Sequence, residues 1–89
     1  MKIYKFYTQT CNPCKQITPI LEEVMQNHPE IELVAVDCGE ESNAELVNRN
    51  HVRSVPTLVF EKDGNMVHSM TGYMNKGQIT EAIAQHMQE

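Results

Sequence analysis

Tryptophan is absent from this chain, cysteine occurs only three times, and Lys plus Arg total 7 against 12 Asp plus Glu, for a formal net charge of −5. The anionic balance disfavours nucleic acid and anionic membranes as partners, since both attract basic patches. No segment approaches the roughly 18 consecutive apolar residues of a membrane helix. The run from Met1 to Tyr7 is strand-like and passes at once into polar residues, so it does not read as a secretory leader. These absences predict a cytoplasmic chain. In that reducing compartment an odd number of cysteines argues against a disulfide framework and for a working thiol pair. Repeats, low-complexity tracts and linkers are missing as well. At 89 residues a single domain over 1–89 is expected, near the size at which one core is just sufficient.

Against that sparse background stands Cys11-Asn12-Pro13-Cys14, directly after the apolar run Ile3-Tyr4-Lys5-Phe6-Tyr7. Two thiols three residues apart at the start of a helix can close a small disulfide ring, and the helix end supplies positive potential that stabilises a thiolate. The same spacing is half of a zinc site, but a tetrahedral structural site needs about four ligands. Cys38 is unpaired in the sequence and no His pair sits at ligand spacing, so neither a metal nor a cofactor is assigned. Dithiol redox chemistry is the reading the motif favours. The alternative for Cys11 is a small buried hydrophobe.

The flanking pattern alternates element types. Residues 2 to 7 read as a buried strand, and Thr10 is a candidate cap for a helix beginning near Cys11. Ile17, Ile20, Leu21, Val24 and Met25 recur at the spacing of one helical face, ending near Asn27-His28-Pro29. Pro19 falls inside that pattern and predicts a kink, or a break into two pieces. A second strand spans about Glu32 to Asp37, its continuous Leu33-Val34-Ala35-Val36 suggesting burial on both faces. Glu40 to Asn50 reads as a short helix capped by Ser42 or Asn43. Thr57–Phe60 and Met66–Met70 flank Lys62-Asp63-Gly64-Asn65, where Asp-Gly signals a hairpin. A last helix begins near Asn75, with Ile79, Ala82, Ile83 and Met87 on one face and Asn75 with Gln78 spaced as a capping box. A right-handed crossover makes the first two strands parallel, and the hairpin extends the sheet antiparallel. The expected fold class is α/β: a mixed four-stranded sheet, β-α-β-α-β-β-α, with helices on both faces. The ends of the first two strands then share one sheet edge, where ligands of such folds usually bind.

Four separate stretches, in order, carry a family resemblance: Phe6-Tyr7-Thr8-Gln9-Thr10-Cys11-Asn12-Pro13-Cys14-Lys15, then Thr18-Pro19-Ile20-Leu21, then Val52-Arg53-Ser54-Val55-Pro56-Thr57-Leu58, then Thr71-Gly72-Tyr73. Together they resemble thioredoxin over nearly the whole chain. The similarity begins at the strand that carries the thiol pair, so the first strand and helix of a full-length thioredoxin have no counterpart; that shorter architecture is the one glutaredoxins use. The resemblance implies a thioredoxin-like fold in which Cys11 is the outer nucleophile and Cys14 the resolving thiol beneath it. It implies a cis Pro56 against the thiol pair, blocking metal capture and exposing the Val55 backbone to an extended substrate. Gly72 and Tyr73 would complete the substrate rim; an ordinary turn glycine and a helix-flanking aromatic are the alternatives.

Departures from the family pattern concern tuning. Asn12 stands where thioredoxins usually carry Gly, while Pro13 suits the first helical turn because its missing N–H costs nothing there. Lys5 replaces the buried Asp of the first strand, and Leu33 the partner lysine of the next. Either the Lys5 ammonium reaches under the thiols and favours thiolate, or it snorkels to solvent without a catalytic part, the simpler expectation. Tyr7 lies near the usual Trp position. Cys38 is expected to be a structural thiol, or else the site of a regulatory or dimeric disulfide, and His28, His51, His68 and His86 are expected to face solvent.

The resemblance therefore implies a monomeric protein disulfide oxidoreductase, reducing protein disulfides through Cys11 and Cys14. Its electron donor would be thioredoxin reductase or glutathione, and ribonucleotide reductase is a family-level target. Two other readings stand beside it. One is a glutaredoxin-like enzyme using glutathione, which the short fold suits but which lacks Cys-Pro-Tyr-Cys. The other is a non-catalytic thioredoxin-fold binding module.

Overall fold

In the computed structural model, which describes residues 1–87, the elements run β1 (Lys2–Tyr7), α1 (Asn12–Gln26), β2 (Glu32–Asp37), a 3-10 turn (Glu41–Asn43), α2 (Ala44–Arg49), β3 (Thr57–Lys62), β4 (Asn65–Thr71) and α3 (Lys76–Met87). The four strands form one mixed sheet in the order β2-β1-β3-β4. β1 lies parallel to β2 and antiparallel to β3, and β3 is antiparallel to β4. The expected α/β order and strand directions are all present.

Strand alternation divides the core into two layers. Ile3 of β1 and Leu58 and Phe60 of β3 pack with Ile17, Leu21 and Val24 of α1 and Ile79, Ala82 and Ile83 of α3. Tyr4, Phe6, Val36 and Val59 point the other way, against Leu46 and Val47 of α2 and the Val52 and Val55 that follow it. The helices thus cover both faces. An exposed Lys76–Glu23 ion pair of 2.7 Å joins α3 to α1, an interaction of about 0–1 kcal/mol at most.

Three local expectations are corrected. β2 is an edge strand, and its residues are mostly half-exposed, with Val36 alone buried; a continuous apolar run meant one half-covered edge rather than two covered faces. Pro19 does not divide α1, which continues through it as one helix, so the alternative of two separate pieces is the reading corrected there. Asn43 precedes α2 but makes no side-chain cap; its amide donates to the Asp37 carbonyl at 2.9 Å, tying the 3-10 turn to the end of β2.

Local chemistry explains the hairpin and the last helix. Asp63 and Gly64 have φ of 55° and 81°, the pair of left-handed residues a two-residue hairpin requires. At α3 the Asn75 N–H donates to Gln78 Oε1 at 2.9 Å and the Gln78 N–H donates to Asn75 Oδ1 at 2.8 Å, a reciprocal capping box.

The expectation of four solvent-facing histidines fails at His86, which is 8% exposed. Its ring stacks on His68 of β4 at 4.6 Å between centroids, and both rings lie against Phe60. His86 falls on the helical face of Ile79, Ala82 and Ile83, and that periodicity was the signal available in the sequence.

Burial first, and then the neighbouring His86, hold the His68 imidazole below its usual range. A histidine whose folded-state value is depressed contributes stability above its unfolded value of about 6.5, lost as pH falls through the folded value. Denaturant midpoints are therefore expected to fall from pH 7 to pH 5, with His68→Leu flattening that slope; an equal slope in both chains contradicts the coupling. In the core, Leu21→Ala is expected to lower stability by about 2–5 kcal/mol in the same titration, and a loss below about 1 kcal/mol would contradict the packing of α1 on the sheet.

Candidate active site

Register brings the site together at one end of the sheet. Tyr7 pairs with Asp37, Phe6 with Thr57, and Thr57 with Thr71. The segments just beyond those residues, Thr8–Cys14, Cys38, Pro56 and Gly72, therefore gather at the same edge, as the topology predicts.

Between β1 and α1 the chain turns through Thr8, Gln9 and Thr10. The cap of α1 is Cys11, not Thr10: Cys11 has extended backbone (φ −83°, ψ 107°) and its Sγ accepts the Cys14 N–H at 3.1 Å. A sulfur occupies the place usually taken by a hydroxyl or carboxylate oxygen. Pro13 sits in the first turn, where its absent N–H has no intrahelical partner to lose. No acidic residue lies in that turn, so the positive end of the helix is not offset locally.

Cys11 and Cys14 form a disulfide, with Cα atoms 5.3 Å apart. Their surroundings differ. Cys14 is 2% exposed, packed beneath the helix start, whereas Cys11 is part-exposed at the surface.

Lys5 does not snorkel away from the site. Strand parity puts it on the α1 side of the sheet, where its Nζ donates to Thr18 Oγ1 and stands 5.4 Å from the Tyr7 ring centroid. Lys5, Tyr7, Gln9, Cys14, Lys15 and Thr18 line a cavity of about 150 Å³. Burial pushes the Lys5 ammonium below its usual range, opposed by the Glu22 carboxylate.

The Val55–Pro56 bond is cis, and Pro56 is buried. The Gly72 N–H donates to the Pro56 carbonyl at 2.9 Å, and Gly72 has φ +92°, a conformation that strains any residue with a Cβ. Thr57 Oγ1 donates to the Ser54 carbonyl at 2.7 Å and lies 3.2 Å from Thr71 Oγ1, fixing the loop on both sides of Pro56. Tyr73 follows with 56% of its surface exposed.

Cys38 shares the edge but not the pair. It is half-buried against the α2 layer and its N–H donates to the Tyr7 carbonyl at 2.8 Å. Burial and the Asp37 charge push its thiol up, with the Tyr7 contact opposing, so less of Cys38 is thiolate near neutral pH than of a free cysteine. No helix among the described residues is long and apolar enough to cross a membrane.

Comparisons with known proteins agree with this geometry. The family model described as thioredoxin matches residues 1–85. Thioredoxin from Bacillus subtilis strain 168 is 35% identical over 92% of this chain and 78% of its own length. The X-ray structure of Fasciola hepatica thioredoxin superposes with a TM-score of 0.85 and 34% identity, over 96% of this chain and 79% of that one. A chain from a complex of ferredoxin:thioredoxin reductase with thioredoxin f2 superposes with a TM-score of 0.87 and 28% identity, over 97% and 76%. A buried and a part-exposed cysteine joined at a helix start, on this fold and with these relatives, lead to one conclusion: the chain belongs to the thioredoxin family and is a thiol–disulfide oxidoreductase whose active-site pair is Cys11 and Cys14.

Proposed function

We propose that this single domain works as a cytoplasmic, monomeric reductant of protein disulfides, with Cys11 as nucleophile and Cys14 as resolving thiol. The observation that carries the assignment is the difference in exposure: only Cys11 of the pair meets solvent, while Cys14 is 2% exposed. Electrostatics support it. In the reduced protein the Cys14 N–H and the unopposed helix end both favour negative charge on Cys11 Sγ. A free thiol with pKa about 8.5 is only a few per cent thiolate near pH 7, and such surroundings bring it to roughly 3.5–7.5.

The Cys11 thiolate attacks one sulfur of a target disulfide, forming a Cys11–target bond and releasing the second target sulfur as a thiolate that takes a proton. Cys14 then loses its proton and attacks Cys11 Sγ. The Cys11–Cys14 bond forms, the Cys11–target bond breaks, and the departing thiolate is protonated; two electrons have passed to the target. Returning the disulfide to the dithiol needs an external two-electron donor, for which thioredoxin reductase is the partner proposed. The reductase complex containing a similar chain supports that choice.

Val55, Pro56, Gly72 and Tyr73 are assigned to the substrate platform. The Gly72–Pro56 hydrogen bond joins two loops at the thiol edge and leaves Tyr73 exposed beside them, a surface on which an extended segment can lie. Asn12 and Pro13, between the sulfurs, are assigned to tuning the couple. A disulfide-bearing protein such as ribonucleotide reductase is of the class this platform would accept.

The test is NADPH consumption with an insulin-like disulfide substrate, run with thioredoxin reductase and, separately, with glutathione plus glutathione reductase. Turnover with thioredoxin reductase, abolished in Cys11→Ser, is expected; turnover with glutathione alone would move the donor assignment. Cys14→Ser is expected to accumulate a mixed disulfide visible by non-reducing electrophoresis, and release of target from that variant at the native rate contradicts the resolving role. Gly72→Val, which strains the positive φ, is expected to raise KM for the protein substrate several-fold while the reaction of Cys11 with a small disulfide is little changed; equal effects on both would contradict a platform role.

A further inference from the structure

Lys5 is a cation where the rest of its layer is apolar. β1 places it between Ala35 of β2 and Leu58 of β3 in register, neither able to bear charge. Its ammonium is fixed from the α1 side instead. Nζ donates to Thr18 Oγ1, the Thr18 hydroxyl donates to the Cys14 carbonyl at 3.0 Å, and the Tyr7 ring stands beneath the charge. Cys14 and Lys5 line the same cavity of about 150 Å³, whose other charged lining residue among the described residues is the cationic Lys15. Glu22, one turn beyond Thr18 on α1, acts on Lys5 from outside that lining and favours its charged form. From β2 the ionisable groups at this edge are Asp37, whose carboxylate accepts from Gln9 at 2.9 Å, and Cys38, whose N–H donates to the Tyr7 carbonyl. Holding a partly desolvated ammonium at this place has an energetic cost, and Thr18 and Tyr7 are neutral partners. The group in that cavity able to become an anion during turnover is Cys14.

We propose that Lys5 is a positioning residue for the resolving step: its ammonium, anchored by Thr18 and Tyr7, stabilises the negative charge that Cys14 acquires when it attacks Cys11. The inference rests on Cys14 being the resolving thiol. In the step, the Cys14 proton goes to solvent, the Cys14–Cys11 bond forms and the Cys11–target bond breaks. The departing target thiolate takes a proton from solvent, and Lys5 keeps its protons throughout. Because a cation near a thiolate stabilises the reduced pair, Lys5 also makes the couple more oxidising than a neutral residue there would.

The test compares the native chain with Lys5→Met and Lys5→Arg. Three readouts apply: thiolate absorbance of the reduced pair against pH, release of target from a preformed Cys11 mixed disulfide, and the equilibrium constant against a glutathione redox buffer. In Lys5→Met the ionisation of the buried thiol is expected to move up by about one unit or more. Release at pH 7 is expected to slow about ten-fold, and the equilibrium, read at a pH above the thiol ionisations, to shift about ten-fold toward the disulfide. Lys5→Arg restores all three, because it keeps the charge. Native behaviour of Lys5→Met overturns the proposal, and so does Lys5→Arg behaving like Lys5→Met, which would give Lys5 a proton-carrying part instead. If Lys5→Met does not fold, Thr18→Val decides: loss of the anchor is expected to move the ionisation upward by a smaller amount, and an unchanged profile overturns the proposal. Cys14→Ser in the same release assay separates the two claims, since normal release there removes the resolving assignment whatever Lys5 does.

Discussion

Everything at the active edge depends on the placement of β1 between β2 and β3. A strand hydrogen-bonded on both sides cannot shift by one residue without moving Ile3 out of one core layer and Tyr4 and Phe6 out of the other. That constraint fixes where β1 ends, and its end fixes where α1 begins. The disulfide stands at that junction. Its outer sulfur caps the helix and its inner sulfur lies against the core. The asymmetry between two chemically identical side chains is thus a product of strand register and helix entry, not of the cysteines themselves.

The other parts of the site hang from the same frame. β3 is antiparallel to β1 and starts opposite its end, so Pro56 arrives at the thiol edge; β4 ends there in turn, bringing Gly72 onto the Pro56 carbonyl. Loops separated by many residues meet because three strand ends coincide. The sheet supplies rigidity, and the loops supply the chemistry.

Much of this was legible in the sequence because its signals are local. The Asp63-Gly64 turn, the Asn75–Gln78 box and the α1 stripe all follow from spacing within a few residues, and the Cys-x-x-Cys motif after a strand carried the chemistry. What failed depended on neighbours distant in sequence. The run Leu33–Val36 reads as doubly buried, yet β2 is the edge strand of the sheet among the described residues. Cys11 rather than Thr10 caps α1, since the helix opens at Asn12 and Cys11 is the extended residue just before it. His86 reads as a surface residue, yet Phe60 and His68 pack against it. Lys5 is the most instructive case. A lysine near a strand's end ordinarily snorkels, but strand parity and the overlying Thr18 hydroxyl keep this one beside Cys14.

The central claim is that one fold makes Cys11 reactive and Cys14 protected. The most direct measurement is the rate of alkylation of each cysteine in the reduced protein as a function of pH, resolved by peptide mass analysis. The account predicts that Cys11 is modified first, with an ionisation below the ordinary thiol value of about 8.5, while Cys14 and Cys38 react slowly. Faster modification of Cys14 or Cys38, or an unshifted ionisation at Cys11, would contradict it.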